Sequence, residues 1–266
     1  VPELPEVETA RRTLRPILGR RITAVEVLRP VAVRTHTAPA LARALRGKRV
    51  ERLERLGKSL VLRVDGHALR FHFKLWGAVR LHPRPPTPDR ETALLLTFDD
   101  GSALEFRELQ LSEIHLVRVR DHEVPGVEEL GIDPLSRAFT RAAFEARLAG
   151  ARGAVRTVLT DQARFAGIGN LWAHEILHRA ALAPHRPVES LTDAERAALY
   201  EAVRSVVREA VRLGGEPDFV DARGRHGRFP LAVYGRAGQS CPRDGTPVRQ
   251  GRLGGRPSFW CPTCQR

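Results

Sequence analysis

The chain has 266 residues, room for two compact domains each with its own core, and it carries 44 lysines and arginines against 31 acidic residues, a formal net charge of +13 with an isoelectric point near 11.1. Such an excess suits a polyanionic partner, whose phosphates a basic surface attracts without regard to sequence. No apolar run approaches the ~20 residues that span a membrane, and the N-terminus lacks the basic-then-apolar pattern of a signal peptide, so no membrane partner and a cytoplasmic, nucleoid-associated location are expected.

In chain order, the first feature is Val1-Pro2-Glu3. A proline that becomes N-terminal presents a secondary amine, a nucleophile able to add to an aldehyde-like sugar carbon, and Glu3 beside it supplies a carboxylic acid for proton transfer. The same residues fit the start of a helix, with Pro5 in its first turn and Glu6 and Glu8 at its positive end, and on these residues alone the helix reading is the stronger. Val7, Ala10, Leu14, Ile17 and Leu18 recur at helical spacing, predicting an amphipathic helix over residues 5–18 closed by Gly19. Residues 21–118 then change to short alternating segments, among them 22–28, 59–64, 68–73 and 93–98, with Asp65-Gly66 and Asp100-Gly101 as hairpin turns. That predicts an antiparallel sandwich or flattened barrel, broken by a proline-rich surface loop at residues 82–88.

Only Lys48, Lys58 and Lys74 are lysines, and lysine kept amid arginine can mark a place that needs a compact ammonium; Lys48 reads rather as a solvated Lys/Arg exchange, and Lys58 taken alone reads as a surface lysine. Residues 121–136, rich in Glu, Gly and Pro, read as a linker. Beyond it the pattern is helical: residues 140–148 form a short helix, and Thr192-Asp193-Ala194-Glu195 is a capping box opening a longer helix that stops at Gly214-Gly215. Between them, Gly167-Ile168-Gly169-Asn170 places small residues just before a helix start, a setting suited to close backbone approach to phosphate. The cysteines cluster late. Cys241-x2-Asp244, sixteen residues, then Cys261-x2-Cys264 has the spacing of a four-ligand zinc finger with Asp244 in place of the second cysteine; zinc accepts a carboxylate oxygen, and the competing reading is a metal-free hairpin packed on Phe259 and Trp260.

The opening string Pro2-Glu3-Leu4-Pro5-Glu6-Val7-Glu8-Thr9, the stretch from Leu159-Thr160-Asp161-Gln162 through Gly169-Asn170 to Glu175, and the C-terminal finger together resemble the formamidopyrimidine-DNA glycosylase and endonuclease VIII family of base-excision repair enzymes. The resemblance covers nearly the whole chain. It implies an α+β protein in two domains: an N-terminal antiparallel β-sandwich with a flanking helix (1–120), a linker (121–137), a helix-two-turns-helix domain (138–230) and a β-hairpin zinc finger (231–266). It implies a glycosylase and AP lyase, monomeric, acting on damaged double-stranded DNA, with Pro2 as nucleophile, Glu3 and Lys58 completing the catalytic set, and one structural zinc on Cys241, Asp244, Cys261 and Cys264. Lys74, Leu75 and Trp76 would fill the gap left by an extruded base, although an apolar pair is ordinarily core. Asn170 and Arg256 would hold phosphates, and Glu175 would steady the N-terminal catalytic segment.

Val1 departs from the family, whose initiator methionine is removed. The expectation is that Val1 is the literal translation of an alternative start codon and is removed too; retained, it would leave a non-catalytic DNA-binding protein. A zinc-ribbon regulator would explain the finger and nothing else. The lesion is a second departure. Where the formamidopyrimidine branch has Asp-Pro-Arg-Arg-Phe-Gly, this chain has Glu108-Leu109-Gln110-Leu111-Ser112-Glu113, while Lys74-Leu75-Trp76-Gly77 resembles the Gln-Leu-Tyr-Gly of the endonuclease VIII branch and the loop after Gly214-Gly215 is short. The implied preference is for oxidised pyrimidines and ring-opened purines, the alternative being a formamidopyrimidine/8-oxoguanine enzyme.

Overall fold

The computed structural model describes residues 2–107, 112–119, 124, 127 and 129–266; Val1, residues 108–111 and much of the expected linker lie outside the described residues. The chain divides into two units, residues 1–128 with 217–227 and residues 129–216 with 228–266.

The first unit opens with helix α1 (Leu4–Thr13). The predicted helix to residue 18 stops early because Pro16 lacks an N–H and disfavours helical geometry before it; the chain continues as a 3-10 turn over Arg15–Ile17. Among the described residues eight strands follow, β1 (Ile22–Val27), β2 (Val50–Leu56), β3 (Ser59–Val64), β4 (His67–His72), β5 (Ala78–His82), β6 (Thr92–Phe98), β7 (Ala103–Arg107) and β8 (Glu113–Arg118), with an unanticipated helix α2 (Ala38–Leu45) between β1 and β2. They form two four-stranded sheets ordered β1-β6-β7-β5 and β2-β3-β4-β8, antiparallel throughout. Asp65 (φ 37°) and Gly66 (φ 77°) close the β3–β4 hairpin, as the Asp-Gly signal predicts.

Leu60, Leu62 and Val64 of β3 alternate inward to share one core with Leu94, Leu96 and Phe98 of β6, Leu104 and Phe106 of β7, and Val7, Ala10 and Leu14 of α1. Phe71 bridges it, edge-on to Phe73 at 4.7 Å and to Phe106 at 5.2 Å. Each buried aromatic contributes about 1.5–3 kcal/mol, with about 0.5–1.5 more per edge-on pair. Phe219 and Ala222 belong to this same core, and Ala222 O accepts the Leu81 N–H at 2.7 Å. The expected α+β sandwich is therefore present.

The second unit is helical: α3 (Arg141–Leu148), α4 (Val155–Thr160), α5 (Asn170–Arg179) and α6 (Asp193–Arg212). Thr192 caps α6 as predicted, its N–H donating to Glu195 Oε2 at 2.8 Å and its Oγ1 accepting the Glu195 N–H at 3.3 Å. Phe139, Phe144, Phe165 and Tyr200 pack together, Phe139 stacked on Tyr200 and edge-on to Phe144, and Tyr200 donates its hydroxyl to Phe139 O at 3.1 Å. A two-stranded hairpin of β9 (Arg249–Leu253) and β10 (Arg256–Trp260) completes the unit, turning at Gly254 and Gly255, both with positive φ. Its small core joins Val233, Val248 and Phe259 to Cys241 and Cys261.

Candidate functional site

In the first unit, Pro2 is half-buried and Glu3, 3 % exposed, caps the start of α1; the Glu3 N–H donates to Glu6 Oε2 at 3.0 Å. One turn on, buried Glu8 accepts from Arg11 Nη2 at 2.7 Å and Arg12 Nε at 2.8 Å and lies 3.5 Å from Arg55 Nε on β2. Burial raises the Glu8 carboxyl, but the bonds from Arg11 and Arg12 and the charges of Arg11 and Arg55 outweigh it and bring it down to about 2. Arg55 also donates to Gly57 O at 3.2 Å. A charge chain thus runs from the N-terminal helix to the β2–β3 turn, the two-residue Gly57-Lys58 between paired Leu56 and Ser59.

Register places the rest of the site at the same end of that sheet. Ser59 pairs with His72 at the end of β4, and His72 pairs with Glu113 at the start of β8. Residues 73–77 therefore leave β4 beside the Lys58 turn. Phe73 is fully buried, and its carbonyl accepts the Gly77 N–H at 2.8 Å. A Cβ at Gly77 would meet Phe73 O at 2.7 Å and Ser112 Cβ at 2.9 Å, so only glycine closes this turn. Lys74 takes a left-handed φ of 48°, held by its N–H to His72 Nδ1 at 3.0 Å and by Nζ 3.5 Å from Glu113 Oε2. Burial and the Lys74 charge, only partly opposed by Glu113, lower His72 to about 4, so at neutral pH its Nδ1 is free to accept. Leu75 and Trp76 at the apex are 42 % and 54 % exposed, which rules out the reading of these two as sandwich core.

In the second unit, Gln162 fixes the turn before α5, donating to Thr160 O at 2.9 Å and Ile168 O at 2.7 Å and accepting the Gly167 N–H at 2.9 Å. Asn170, the first residue of α5, accepts from Arg156 Nη1 at 2.9 Å and donates to Pro257 O at 3.1 Å. Arg156, 3 % exposed, also reaches Leu253 O at 2.7 Å, and His174 Nε2 lies 3.1 Å from Ser258 Oγ. Asn170 and the hairpin carrying exposed Arg256 are thereby one assembly. The Glu175 carboxylate accepts the N–H groups of Ala232, Val233 and Tyr234 at 2.7–3.1 Å. A buried acceptor is best satisfied by consecutive loop amides, and this loop leads into the finger.

Cys241, Asp244, Cys261 and Cys264 present ligand atoms within 4.8 Å of one another. Cys241 Sγ and Cys264 Sγ are 3.7 Å apart, and Cys261 Sγ is 3.4 Å from Asp244 Oδ2; a tetrahedral site with ~2.3 Å metal–sulfur bonds needs edges of about 3.8 Å. Burial and the bonds the thiol donates toward Cys261 and Cys241 push Cys264 up to about 12, the crowding that a cation relieves by replacing protons. The four residues fit a metal ion. Sequence reasoning missed Arg156, one arginine among many, and the pair His174 and His178, whose four-residue spacing on α5 was a readable signal.

Residues 1–111 match the model of the formamidopyrimidine-DNA glycosylase N-terminal domain and residues 130–218 that of the formamidopyrimidine-DNA glycosylase H2TH domain. The formamidopyrimidine-DNA glycosylase of Pelotomaculum thermopropionicum is 36 % identical over 274 residues, covering 100 % of this chain and 99 % of that one. The crystal structure of the MutM (Fpg) protein from Thermus thermophilus superposes with a TM-score of 0.87 at 37 % identity, over 99 % of this chain and 98 % of that one. The Lactococcus lactis Fpg in complex with abasic-site DNA gives a TM-score of 0.91 at 27 % identity, over 99 % of each chain, and that protein has also been solved with an oxidised pyrimidine in its DNA (TM-score 0.90, 28 % identity, 100 % of each chain).

Proposed function

Because the chain belongs to the formamidopyrimidine-DNA glycosylase family, we propose that it excises damaged bases from duplex DNA and cleaves the strand at the resulting site. The observation that carries this reading is the apex of residues 73–77: two large apolar side chains exposed on a glycine-closed turn, beside Lys58 and supported by buried Phe73. A base inside a duplex must leave the stack before its glycosidic bond is reached, and an apolar wedge offsets the lost stacking. The wedge is Leu75 with Trp76.

With Pro2 as the first residue of the active protein, its secondary amine attacks C1′ and the C1′–base bond breaks, the base leaving with a proton. Glu3 protonates the ring oxygen as the sugar opens, giving an iminium on Pro2. Loss of the C2′ proton then expels the 3′ phosphate, and water releases Pro2. Lys58 binds the phosphate of the damaged nucleotide, and Asn170 with Arg256 binds flanking phosphates, in keeping with the +13 charge. Zinc holds the finger through Cys241, Asp244, Cys261 and Cys264.

The lesions we assign are oxidised pyrimidines and ring-opened purines, supported by the exposed Leu75-Trp76 pair in a single loop and by a relative of this fold with an oxidised pyrimidine in its DNA. Borohydride added during reaction with a thymine glycol duplex should trap a covalent protein–DNA adduct that Pro2→Gly reduces and a bare DNA-binding protein never forms. Fast, cytosine-dependent removal of 8-oxoguanine without activity on thymine glycol or dihydrouracil would overturn the lesion assignment, and absence of any adduct would overturn the chemistry.

A further inference from the structure

We propose that His178 is a working part of the finger's metal site, donating its Nε2–H to the sulfurs of Cys241 and Cys264 and so joining the metal centre to α5. The inference rests on the reading of Cys241, Asp244, Cys261 and Cys264 as a metal site. His178 Nε2 lies 3.3 Å from Cys241 Sγ and 3.7 Å from Cys264 Sγ, spanning an edge on which the two sulfurs are 3.7 Å apart. It is 6 % exposed, so its ring lies in the interior beside the sulfurs. A metal-bound cysteine is a thiolate and only accepts; the nitrogen facing it must therefore carry the hydrogen, which fixes the imidazole as the Nε2–H tautomer.

This donor answers a need created by the ligand set. Three thiolates and a carboxylate place four negative charges around a dication, and Asp244 is exposed to solvent while Cys241 and Cys261 are buried. The side of the site away from Asp244's solvent needs a donor to spread the sulfur charge, and α5 supplies it. The same helix turn is fastened twice: the His178 carbonyl accepts from Arg243 Nη2 at 3.0 Å, and Arg243 sits between Cys241 and Asp244 in sequence. One and two turns earlier, His174 and Asn170 hold Ser258 and Pro257 of the hairpin. One helix thus sets both the metal knuckle and the strand that begins with Arg256, and His178 is the positioning residue at the metal end.

The test compares the full-length protein with His178→Phe, which keeps an aromatic ring and removes the donor, and His178→Gln, which restores an N–H. Metal content is measured, then the rate at which a chromophoric chelator withdraws zinc, then the thiolate-to-metal charge-transfer band after cobalt substitution. The expected result is one equivalent of metal in all three proteins, about tenfold faster release from His178→Phe, its charge-transfer band moved to lower energy, and both partly recovered in His178→Gln. A side chain that merely packs would leave the band in place. Unchanged release and an unchanged band in His178→Phe would overturn the proposal, as would a zinc absorption-edge spectrum of the wild type showing a nitrogen ligand. Wild-type protein without metal would instead overturn the metal reading, and that outcome is identified before any variant is made.

Discussion

Replacing Glu8 with glutamine keeps the shape of the side chain and removes the charge on which Arg11, Arg12 and Arg55 converge. The carboxyl falls from the usual 4.5 to about 2 in the folded protein, and at 1.36 kcal/mol per pH unit that difference sets a ceiling of about 3.4 kcal/mol. Arg11 and Arg12 are 30 % and 54 % exposed, so solvent screens part of it, and about 1–2 kcal/mol is the expected loss at neutral pH. The sign follows from linkage. A carboxylate whose folded value is depressed stabilises fully above the unfolded value near 4.5, and that contribution is lost as pH falls toward about 2. Urea unfolding read by amide exchange on residues 4–13 and 50–64 should therefore show wild type and Glu8→Gln separated at pH 7, with roughly half the gap gone by pH 3. An equal gap at both pH values would refute the electrostatic account, and no gap at pH 7 would show that the network is too well solvated to matter.

Leu75→Ala and Trp76→Ala should each change stability by less than about 0.5 kcal/mol, since both side chains are exposed, yet slow excision from duplex by roughly 10- to 100-fold, a few kcal/mol of unstacking being no longer offset; equal slowing on a single-stranded abasic substrate would count against a wedge. Neutral His72 holds Lys74 in its left-handed conformation, and because burial lowers it to about 4 this support is present above about 6.5 and lost as pH falls through that window, so the protection factor of the Lys74 amide should drop between pH 6.5 and 4 and be low at all pH values in His72→Ala. Arg156→Met should weaken DNA binding by about tenfold, because charged bonds of about 1.5–3 kcal/mol to Asn170 and Leu253 are lost; titrations at several salt concentrations should show an unchanged slope, as Arg156 is buried and meets no phosphate.

Local signals carried through to the structure wherever the interaction was local. Asp65-Gly66 turned a hairpin, Thr192 and Glu195 capped α6, and the alternation of Leu60, Leu62 and Val64 pointed into the sandwich. α2 was hidden by its short length and by strand-like surroundings, although Leu41 and Leu45 lie one turn apart and both are buried. The partners of buried polar groups were not legible. Glu175 meets amides at residues 232–234, and Arg156 meets Leu253; neither separation leaves a periodic trace. Composition alone would send Leu75 and Trp76 inside, and their exposure was legible only through the family resemblance; the tight closure at Gly77 that accompanies it has no periodic signal.

Phe219 and Ala222 complete the core of a unit whose last strand ends at Arg118, and this bears on the order in which the newborn chain can settle. While the ribosome adds the intervening stretch of about 100 residues, roughly 5–20 s at ordinary translation speeds, the sandwich stands with Leu81 N–H and the Arg80 side chain lacking the carbonyls of Val220, Asp221 and Ala222 that later satisfy them. The helical segments between are thus made before the core of the earlier unit is complete. Synonymous codons that slow translation just before residue 217 should prolong that interval and raise the fraction of chains captured by chaperones.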